Sequence, residues 1–256
     1  MSILIERDGA ITTVTINRPQ VRNAINPETA LELRAAFLDF DADDGQSVAI
    51  LTGADGTFCA GYDLKAVAQG SASIIAKPGE DGALGPSRML LSKPVIAAVE
   101  GHAVAGGLEF ALWCDMRVAS ETAVFGVYCR RWGVPLIDGG TVRLPRLIGH
   151  SRALDMIMTG RGVGAEEALQ FGLANRLVPA GQALAAAQEL AREIAKFPQL
   201  CMRADRMSSY EQWSLNLDEA LLNEAIGGEK PRIEEAQAGA ARFAAGKGRG
   251  GDFGNI

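Results

Sequence analysis

Residues 93–115 read KPVIAAVEGHAVAGGLEFALWCD, and this stretch decides the fold because it runs from a predicted strand through a glycine turn into a predicted helix. The apolar run KPVIAAV is typical of a strand buried on both faces. The helix predicted to begin near Gly106 is apolar on all sides except at Glu109. A glutamate is rarely buried without a partner. Glu109 is therefore either a partly exposed residue on a helix that bends towards the surface, or a catalytic acid or base whose pKa is raised by desolvation.

A second stretch repeats this pattern of a buried strand followed by a glycine turn. Residues 47–64 read SVAILTGADGTFCAGYDL. A glycine turn that opens a helix points free N–H groups outward, where they favour negative charge. Two such turns that face each other can present two donors to one oxygen, which is an oxyanion hole. For either turn alone, glycine that merely allows strand and helix to pack is the more common explanation.

Composition excludes several classes of protein. The chain has 256 residues, of which 48% are hydrophobic and 22% charged, and its net charge is −6. This is the profile of a globular protein of one large or two small domains. An acidic chain without a basic stripe argues against a nucleic-acid partner. No apolar run reaches the roughly 18 residues of a membrane span, and the N-terminal residues lack a signal-peptide pattern. We therefore expect a cytoplasmic protein without a membrane partner.

The cysteines do not suggest a metal site. They form no CxxC pair, and no histidine cluster lies near them: they are Cys59, Cys114, Cys129 and Cys201. A zinc site is not expected from such spacing, and reduced thiols are the default inside cells.

Strand-like and helix-like segments alternate along most of the chain, and helical segments end it. Asp8-Gly9 predicts the turn of a hairpin, and Asn26 before Pro27 predicts the start of a helix. The order of segments predicts an α/β core over residues 1–195 and a C-terminal helical region over residues 196–256. Residues 69–86 read QGSASIIAKPGEDGALGP and predict a long mobile loop, either a lid or part of a binding mouth.

Four linked motifs resemble the crotonase superfamily, which contains enoyl-CoA hydratases and isomerases. FCAGYDL at 58–64 resembles its first signature, and KPVIAAVEGHAVAGGLEFALWCDMRVAS at 93–120 resembles its second. FGVYCRRWGVPLIDGGTVRLPRLIG at 125–149 and MTGRGVGAEEALQFGLANRLVP at 158–179 are similar to the family in order and spacing. The resemblance covers most of the chain.

This resemblance implies a fold, an assembly and a substrate. The fold is an α/β crotonase-like core of repeated β-β-α units, with a C-terminal helical trimerisation region, and trimers often pair into hexamers. Family members bind acyl-CoA thioesters and hold the thioester oxygen with two backbone N–H groups. On this chain those donors are the amides of Tyr62 and Gly106. No metal or separate cofactor is implied, because CoA enters as part of the substrate.

The resemblance also implies six residues that contact CoA, in two segments: Arg22, Asn23, Ala24, Ala60, Asp63 and Leu64. For Asp63, a turn or capping role is equally open.

Glu109 matches a catalytic glutamate of the hydratases. It lies three residues beyond Gly106, a spacing that brings its side chain towards the same mouth as the Gly106 amide. Hydratases usually employ a second glutamate, but this chain has Cys129 where that residue is expected. A thiol is a poor replacement for a positioned carboxylate, and Cys129 is interpreted as a small apolar filler. Asp138 lies close to where dienoyl-CoA isomerases of this superfamily carry a catalytic aspartate. It is either a second carboxylate of the site, or a turn or N-cap residue before the following helix.

Together these features predict an acyl-CoA-processing enzyme. Reversible hydration of a 2-enoyl-CoA, a lyase reaction of fatty acid metabolism, is the first hypothesis, with Glu109 as acid and base. Isomerisation of an enoyl- or dienoyl-CoA double bond by Glu109 and Asp138 is the second. A homologue that binds acyl-CoA with weak or no catalysis is the third.

Overall fold

The computed structural model describes residues 1–70, 81–254 and 256. They fall into two units, Met1–Ile194 and Ala195–Ile256. Most of the predicted 69–86 loop, residues 71–80, lies outside the described residues.

The first unit is built on a six-stranded sheet and a three-stranded sheet, counted over the described residues. The strands are β1 (Ile3–Asp8), β2 (Ile11–Ile16), β3 (Val48–Gly53), β4 (Val95–Val99), β5 (His102–Val104), β6 (Met116–Ser120), β7 (Val124–Gly126), β8 (Gly162–Gly164) and β9 (Arg176–Val178). The large sheet has the order β1-β2-β3-β4-β6-β9, and the small one has the order β5-β7-β8.

Helices follow pairs of strands in this unit. The α-helices are α1 (Pro27–Ala42), α2 (Leu64–Ala68), α3 (Gly106–Trp113), α4 (Gly140–Ile148), α5 (His150–Thr159), α6 (Ala165–Phe171) and α7 (Ala183–Ala195). The orders β1-β2-α1, β4-β5-α3 and β6-β7-α4 are repeated β-β-α units. The predicted α/β architecture is confirmed.

Local signals explain why the elements begin where they do. The hairpin β1–β2 pairs antiparallel around Gly9, whose φ of +57° suits a tight turn. Asn26 caps α1, because its side chain accepts a hydrogen bond from Thr29 N at 3.1 Å, and Pro27 opens the helix. The two apolar runs form β3 and β4, which are buried and pair parallel, with Ala49 opposite Val95.

Packing of α3 fixes the helix that carries Glu109. Every residue of α3 is buried, as expected for a helix that is apolar on all sides. The Trp113 ring packs edge-on against Phe37 with 4.9 Å between ring centroids. Its indole nitrogen donates a hydrogen bond to Met89 O at 2.8 Å, so the buried N–H has a partner. These contacts hold α3 against α1 and against the segment that precedes β4.

The second unit is helical. It contains α8 (Gln199–Glu211), α9 (Leu217–Pro231), a π-helical turn at Arg232–Ala236, and α10 (Gln237–Ala244). Asn216 and Glu219 form a reciprocal capping box at the start of α9. Several large apolar side chains of this unit are exposed: Leu217, Leu221, Leu222, Ile226 and Ile233. The C-terminal helical region is thus confirmed, whereas its role in trimerisation stays a prediction.

Candidate active site

The two glycine turns lie side by side, because the chain continues to pair beyond β3 and β4. Phe58 N donates to Glu100 O at 2.8 Å, and Cys59 N donates to His102 O at 2.9 Å. The turns then touch: a Cβ atom on Gly61 would lie 2.7 Å from Gly106 N. Gly61 has a φ of +97°, which glycine adopts without strain. Glycine is required at this contact by both conformation and space.

Two backbone amides next to this contact have no acceptor among the described residues. Within the described residues, no hydrogen bond is donated by the N–H groups of Tyr62 and Gly106. Gly106 is the first residue of α3, so the positive end of the helix dipole lies there. Ala105 precedes it with φ 54° and ψ −123°, a conformation rarely adopted by a residue with a Cβ atom. The arrangement suits an oxygen that develops negative charge.

Glu109 lies on the same helix and is 3% exposed. Its Oε1 atom accepts hydrogen bonds from Asp138 N and from Gly140 N, each at 2.9 Å. Burial raises the pKa of Glu109 to about 7. The hydrogen bond from Gly140 opposes this rise, the negative charge of Asp138 adds to it, and the positive charge of Arg143 opposes it. Glu109 can therefore exchange a proton near neutral pH, which is the property required of a general acid or base.

Asp138 is buried beside Glu109 and its carboxylate has protein partners. Asp138 Oδ1 accepts hydrogen bonds from the Ser87 hydroxyl and from Leu84 N, the latter at 3.2 Å. It does not cap α4, because Gly139 occupies the N-cap position without a side-chain bond. The capping interpretation of Asp138 is therefore wrong.

Cys129 is buried in the 3-10 helix Tyr128–Trp132. Its pKa is raised by burial and by the charge of Glu109. A thiol with a raised pKa stays neutral near pH 7 and is a weak nucleophile.

One cavity of about 550 Å³ joins these groups. It is lined by Tyr62, Gly106, Glu109 and Asp138, together with Arg22, Ala60, Leu64, Val67, Ala83, Leu84, Val104, Ala105, Tyr128, Cys129, Arg131, Trp132, Gly133, Val134, Pro135 and Ile137. All four predicted catalytic residues thus meet in one place. Cavities of this size and mixed lining are typical of small-molecule sites.

The predicted CoA contacts divide into two groups. Arg22, Ala60 and Leu64 line the cavity, whereas Asn23, Ala24 and Asp63 do not.

The side chains of Asn23 and Asp63 have structural partners instead. Asn23 Nδ2 donates to Ala54 O at 2.9 Å and to Thr57 O at 2.6 Å. Asp63 caps α2 by accepting from Lys65 N at 3.1 Å. The polar atoms of these two side chains therefore hold the turns in place, and the capping role of Asp63 is confirmed. Contact of Asn23, Ala24 and Asp63 with CoA stays a prediction.

Sequence reasoning missed Ser87 and Arg143. Ser87 lies in the 3-10 helix Pro86–Arg88 and Arg143 on α4. Arg143 Nη1 donates to Asp138 O at 2.9 Å, and Arg143 Nη2 donates to Ser87 O at 2.8 Å. Arg143 lies within a motif that resembles the family, but none of its neighbours in the sequence points to Ser87, its partner 56 residues away.

The described residues contain no group of histidine, cysteine and acidic side chains that could hold a metal ion. No helix among them is long and apolar enough to cross a bilayer.

Comparisons with known proteins agree with the motifs. The sequence model of the enoyl-CoA hydratase/isomerase family matches residues 6–245. The enoyl-CoA hydratase EchA19 of Mycobacterium tuberculosis is 40% identical over 252 residues, which cover 94% of this chain and 92% of that protein. A carnitinyl-CoA dehydratase of Escherichia coli strain K12 is 40% identical over 205 residues, or 79% of this chain and 78% of that protein.

A solved structure supports the same relationship. The enoyl-CoA hydratase EchA1 of Mycobacterium marinum superimposes with a TM-score of 0.89 at 37% identity, over 95% of this chain and 96% of that chain. The chain therefore has the crotonase fold and belongs to the enoyl-CoA hydratase/isomerase family.

Proposed function

We propose that this chain is an enoyl-CoA hydratase, which adds water reversibly to a 2-enoyl-CoA. One observation carries the proposal: a buried carboxylate whose pKa is about 7 shares a cavity with two backbone amides that have no acceptor among the described residues. Family members named enoyl-CoA hydratase and carnitinyl-CoA dehydratase support this class of reaction.

Each group in the cavity has a role in the proposed reaction. The amides of Tyr62 and Gly106 donate to the thioester oxygen as it gains charge. The ionised carboxylate of Glu109 takes a proton from water while the water oxygen bonds to C3, and the electron pair of the double bond moves towards the thioester. Glu109 then delivers the proton to C2, which restores the thioester carbonyl and returns the carboxylate. Dehydration follows the reverse path.

Asp138 assists as a second carboxylate at the cavity wall. It raises the pKa of Glu109 through its negative charge and orients the attacking water. Its own carboxylate is held by Ser87 and Leu84, so its position is fixed.

CoA enters as part of the substrate, and no separate cofactor takes part. Arg22, Ala60 and Leu64 contact the CoA portion where they line the cavity. Asn23, Ala24 and Asp63 support this binding surface through the turns they hold. We further propose that the chain works in the cytoplasm as a trimer or a dimer of trimers, assembled through the C-terminal helices with their exposed apolar side chains.

The test is hydration of crotonyl-CoA, followed as loss of the conjugated-thioester absorbance. Wild type and Glu109→Gln are compared, with Glu121→Gln, which changes an exposed glutamate, as the matched control. We expect the control to match wild type and Glu109→Gln to lose about 100- to 10,000-fold in kcat, the usual contribution of a general acid or base. Thioester binding without turnover by wild type, or full activity in Glu109→Gln, contradicts the proposal.

Double-bond isomerisation is the second candidate. It is favoured by one observation, that Glu109 and Asp138 both line the cavity and are linked by the Asp138 N–H. The two carboxylates could move a proton between substrate carbons without added water. A 3-enoyl-CoA converted to its 2-enoyl isomer faster than the product is hydrated favours this candidate, and product analysis by NMR separates the two reactions.

A further inference from the structure

Ser87, Asp138 and Arg143 are joined by hydrogen bonds at the wall of the cavity. We call these three residues the clamp. The Ser87 hydroxyl donates to Asp138 Oδ1. Arg143 donates to the backbone oxygens of both other members, at 2.9 Å to Asp138 and 2.8 Å to Ser87. Ser87 and Asp138 are 0% and 2% exposed, so the bond between their side chains is shielded from water, whereas the two bonds from Arg143 are partly buried. The segment around Ser87 is therefore tied to the start of α4 by side-chain and backbone atoms.

The clamp joins the two halves of the proposed active site. On one side, the backbone amides of Asp138 and Gly140 hold Glu109 Oε1. On the other side, Leu84 N donates to Asp138, and the Leu84 side chain covers Gly106, where an added Cβ would lie 2.9 Å from Leu84 Cδ1. A shift of the clamp would therefore move the Glu109 carboxylate relative to the Gly106 amide.

The clamp also places a positive charge near Glu109. Three titratable groups interact electrostatically with the Glu109 carboxylate: Asp138, Cys129 and Arg143. Arg143 is the positive group among these three, and it lowers the pKa of Glu109 against the effects of burial and of Asp138. Its guanidinium donates hydrogen bonds to two backbone carbonyl oxygens, in the planar arrangement that an arginine side chain provides.

We propose that Arg143 and Ser87 are positioning residues that hold the Glu109 carboxylate in place relative to the Tyr62 and Gly106 amides. This inference rests on the proposed function, because it assumes that Glu109 exchanges the proton. It adds two residues that do not touch the substrate but act through the backbone around Asp138 and Gly140.

The experiment compares Arg143→Gln, Arg143→Lys and Ser87→Ala with the control Arg146→Gln, which changes an exposed arginine on the same helix. For each variant, kcat and KM for crotonyl-CoA are measured across pH, with thermal unfolding as a check on folding. The pKa of Glu109 is also read directly from its infrared carboxylate band, assigned by difference against Glu109→Gln.

We expect Arg143→Gln to lower kcat about 100-fold with little change in KM, because small displacements of a catalytic group carry costs of that order. Loss of the positive charge should raise the pKa of Glu109 and shift the pH profile of kcat/KM to higher pH. Arg143→Lys retains the charge but loses the planar pair of donors, so it should keep the wild-type pH profile at a reduced kcat. Ser87→Ala removes no charge and should lower kcat by about tenfold without moving the profile.

The inference is overturned if Arg143→Gln matches the Arg146→Gln control in kcat and in the pKa of Glu109. It is also overturned if Arg143→Lys shifts that pKa as much as Arg143→Gln does. If Arg143→Gln fails to fold, wild-type kcat in both Arg143→Lys and Ser87→Ala overturns it. The infrared titration does not depend on turnover, so an inactive wild type would refute the proposed function while the effect of Arg143 on Glu109 is still measured.

Discussion

Glu109 Oε1 lies 2.9 Å from Gly140 N, the first backbone nitrogen of α4. The carboxylate thus accepts a hydrogen bond at the positive end of a helix, which favours its charged form. Burial favours the neutral form more strongly, and the resulting pKa is about 7. Neither form dominates at neutral pH, so a proton can be taken up and released at low cost.

The first prediction concerns the pH dependence of the wild-type enzyme. The proposed hydration starts from ionised Glu109, so kcat/KM should rise with pH and reach half of its plateau near pH 7. Initial rates with crotonyl-CoA across about pH 5 to 9 measure this. A half-rise near the ordinary glutamate pKa of 4.5 would show that burial does not shift the group that limits the rate.

The second prediction concerns stability. The pKa of Glu109 is raised from 4.5 to about 7 on folding, so its favourable contribution is complete below pH 4.5 and is lost as pH rises through 7. Glu109→Gln avoids that loss and should be more stable than wild type by about 3 kcal/mol above pH 7, since each pKa unit corresponds to about 1.4 kcal/mol. The difference should shrink towards zero near pH 4.5. Urea unfolding of both proteins at several pH values checks this, and a pH-independent difference would refute it.

The third prediction concerns backbone strain at Ala105, the residue before Gly106. Ala105 has φ 54° and ψ −123°, and such a conformation carries a cost of about 1–3 kcal/mol for a residue with a side chain. Ala105→Gly should therefore raise the free energy of unfolding by about 1 kcal/mol, after about 0.5–1 kcal/mol is lost to the freer unfolded chain. Ala185→Gly, at an exposed position of α7, should instead lower it by about 1 kcal/mol. Equal destabilisation in both variants would contradict the strain.

The fourth prediction concerns the close approach of the two turns. A Cβ on Gly107 would lie 1.9 Å from Cys59 O, so Gly107→Ala must push the segments apart. We expect a loss of about 3 kcal/mol in unfolding free energy and a large fall in kcat, because the amides of Tyr62 and Gly106 would separate. Gly164→Ala is the control, since nothing lies within 4 Å of its added Cβ. Thermal unfolding and turnover of both variants decide the matter, and unchanged values for Gly107→Ala would exclude this contact.

The fifth prediction concerns Cys129. Its raised pKa keeps the thiol neutral, so Cys129→Ala should retain kcat within about threefold of wild type. Cys129→Glu would place another carboxylate beside Glu109, and mutual repulsion should raise the pKa of Glu109 further. Steady-state rates and pH profiles test both variants. A loss of more than about 100-fold in Cys129→Ala would mean that the thiol takes part in proton transfer.

Sequence reasoning succeeded where the signal was local. The apolar runs of β3 and β4, the Asn26 cap and the helix after Gly106 each depend on neighbouring residues, and the structure confirms them. The apolar neighbours of Glu109 left both partial exposure and burial open, and the structure shows that Glu109 is buried.

The interactions that the sequence did not predict depend on distant partners. Ser87 and Asp138 are 51 positions apart, and the serine had no pattern around it that pointed to its partner. The hydrogen bonds from Asn23 Nδ2 to the carbonyl oxygens of Ala54 and Thr57, more than 30 positions away, were likewise not predicted. Such pairings are set by tertiary packing between segments, which a periodicity or a motif does not encode.

β3 and β4 pair parallel, and the pairing of the chain continues into the segments that carry Tyr62 and Gly106. Neighbouring strands lie about 4.8 Å apart. The turn that carries Tyr62 follows β3, whereas Gly106 follows β5, and the two segments pair at Cys59 and Ala103. The spacing of the Tyr62 and Gly106 amides therefore depends on this pairing, whereas residues 128–137, which form another part of the cavity wall, come from a separate segment. Substitutions within residues 128–137 should therefore change the shape of the cavity while the positions of the Tyr62 and Gly106 amides are kept.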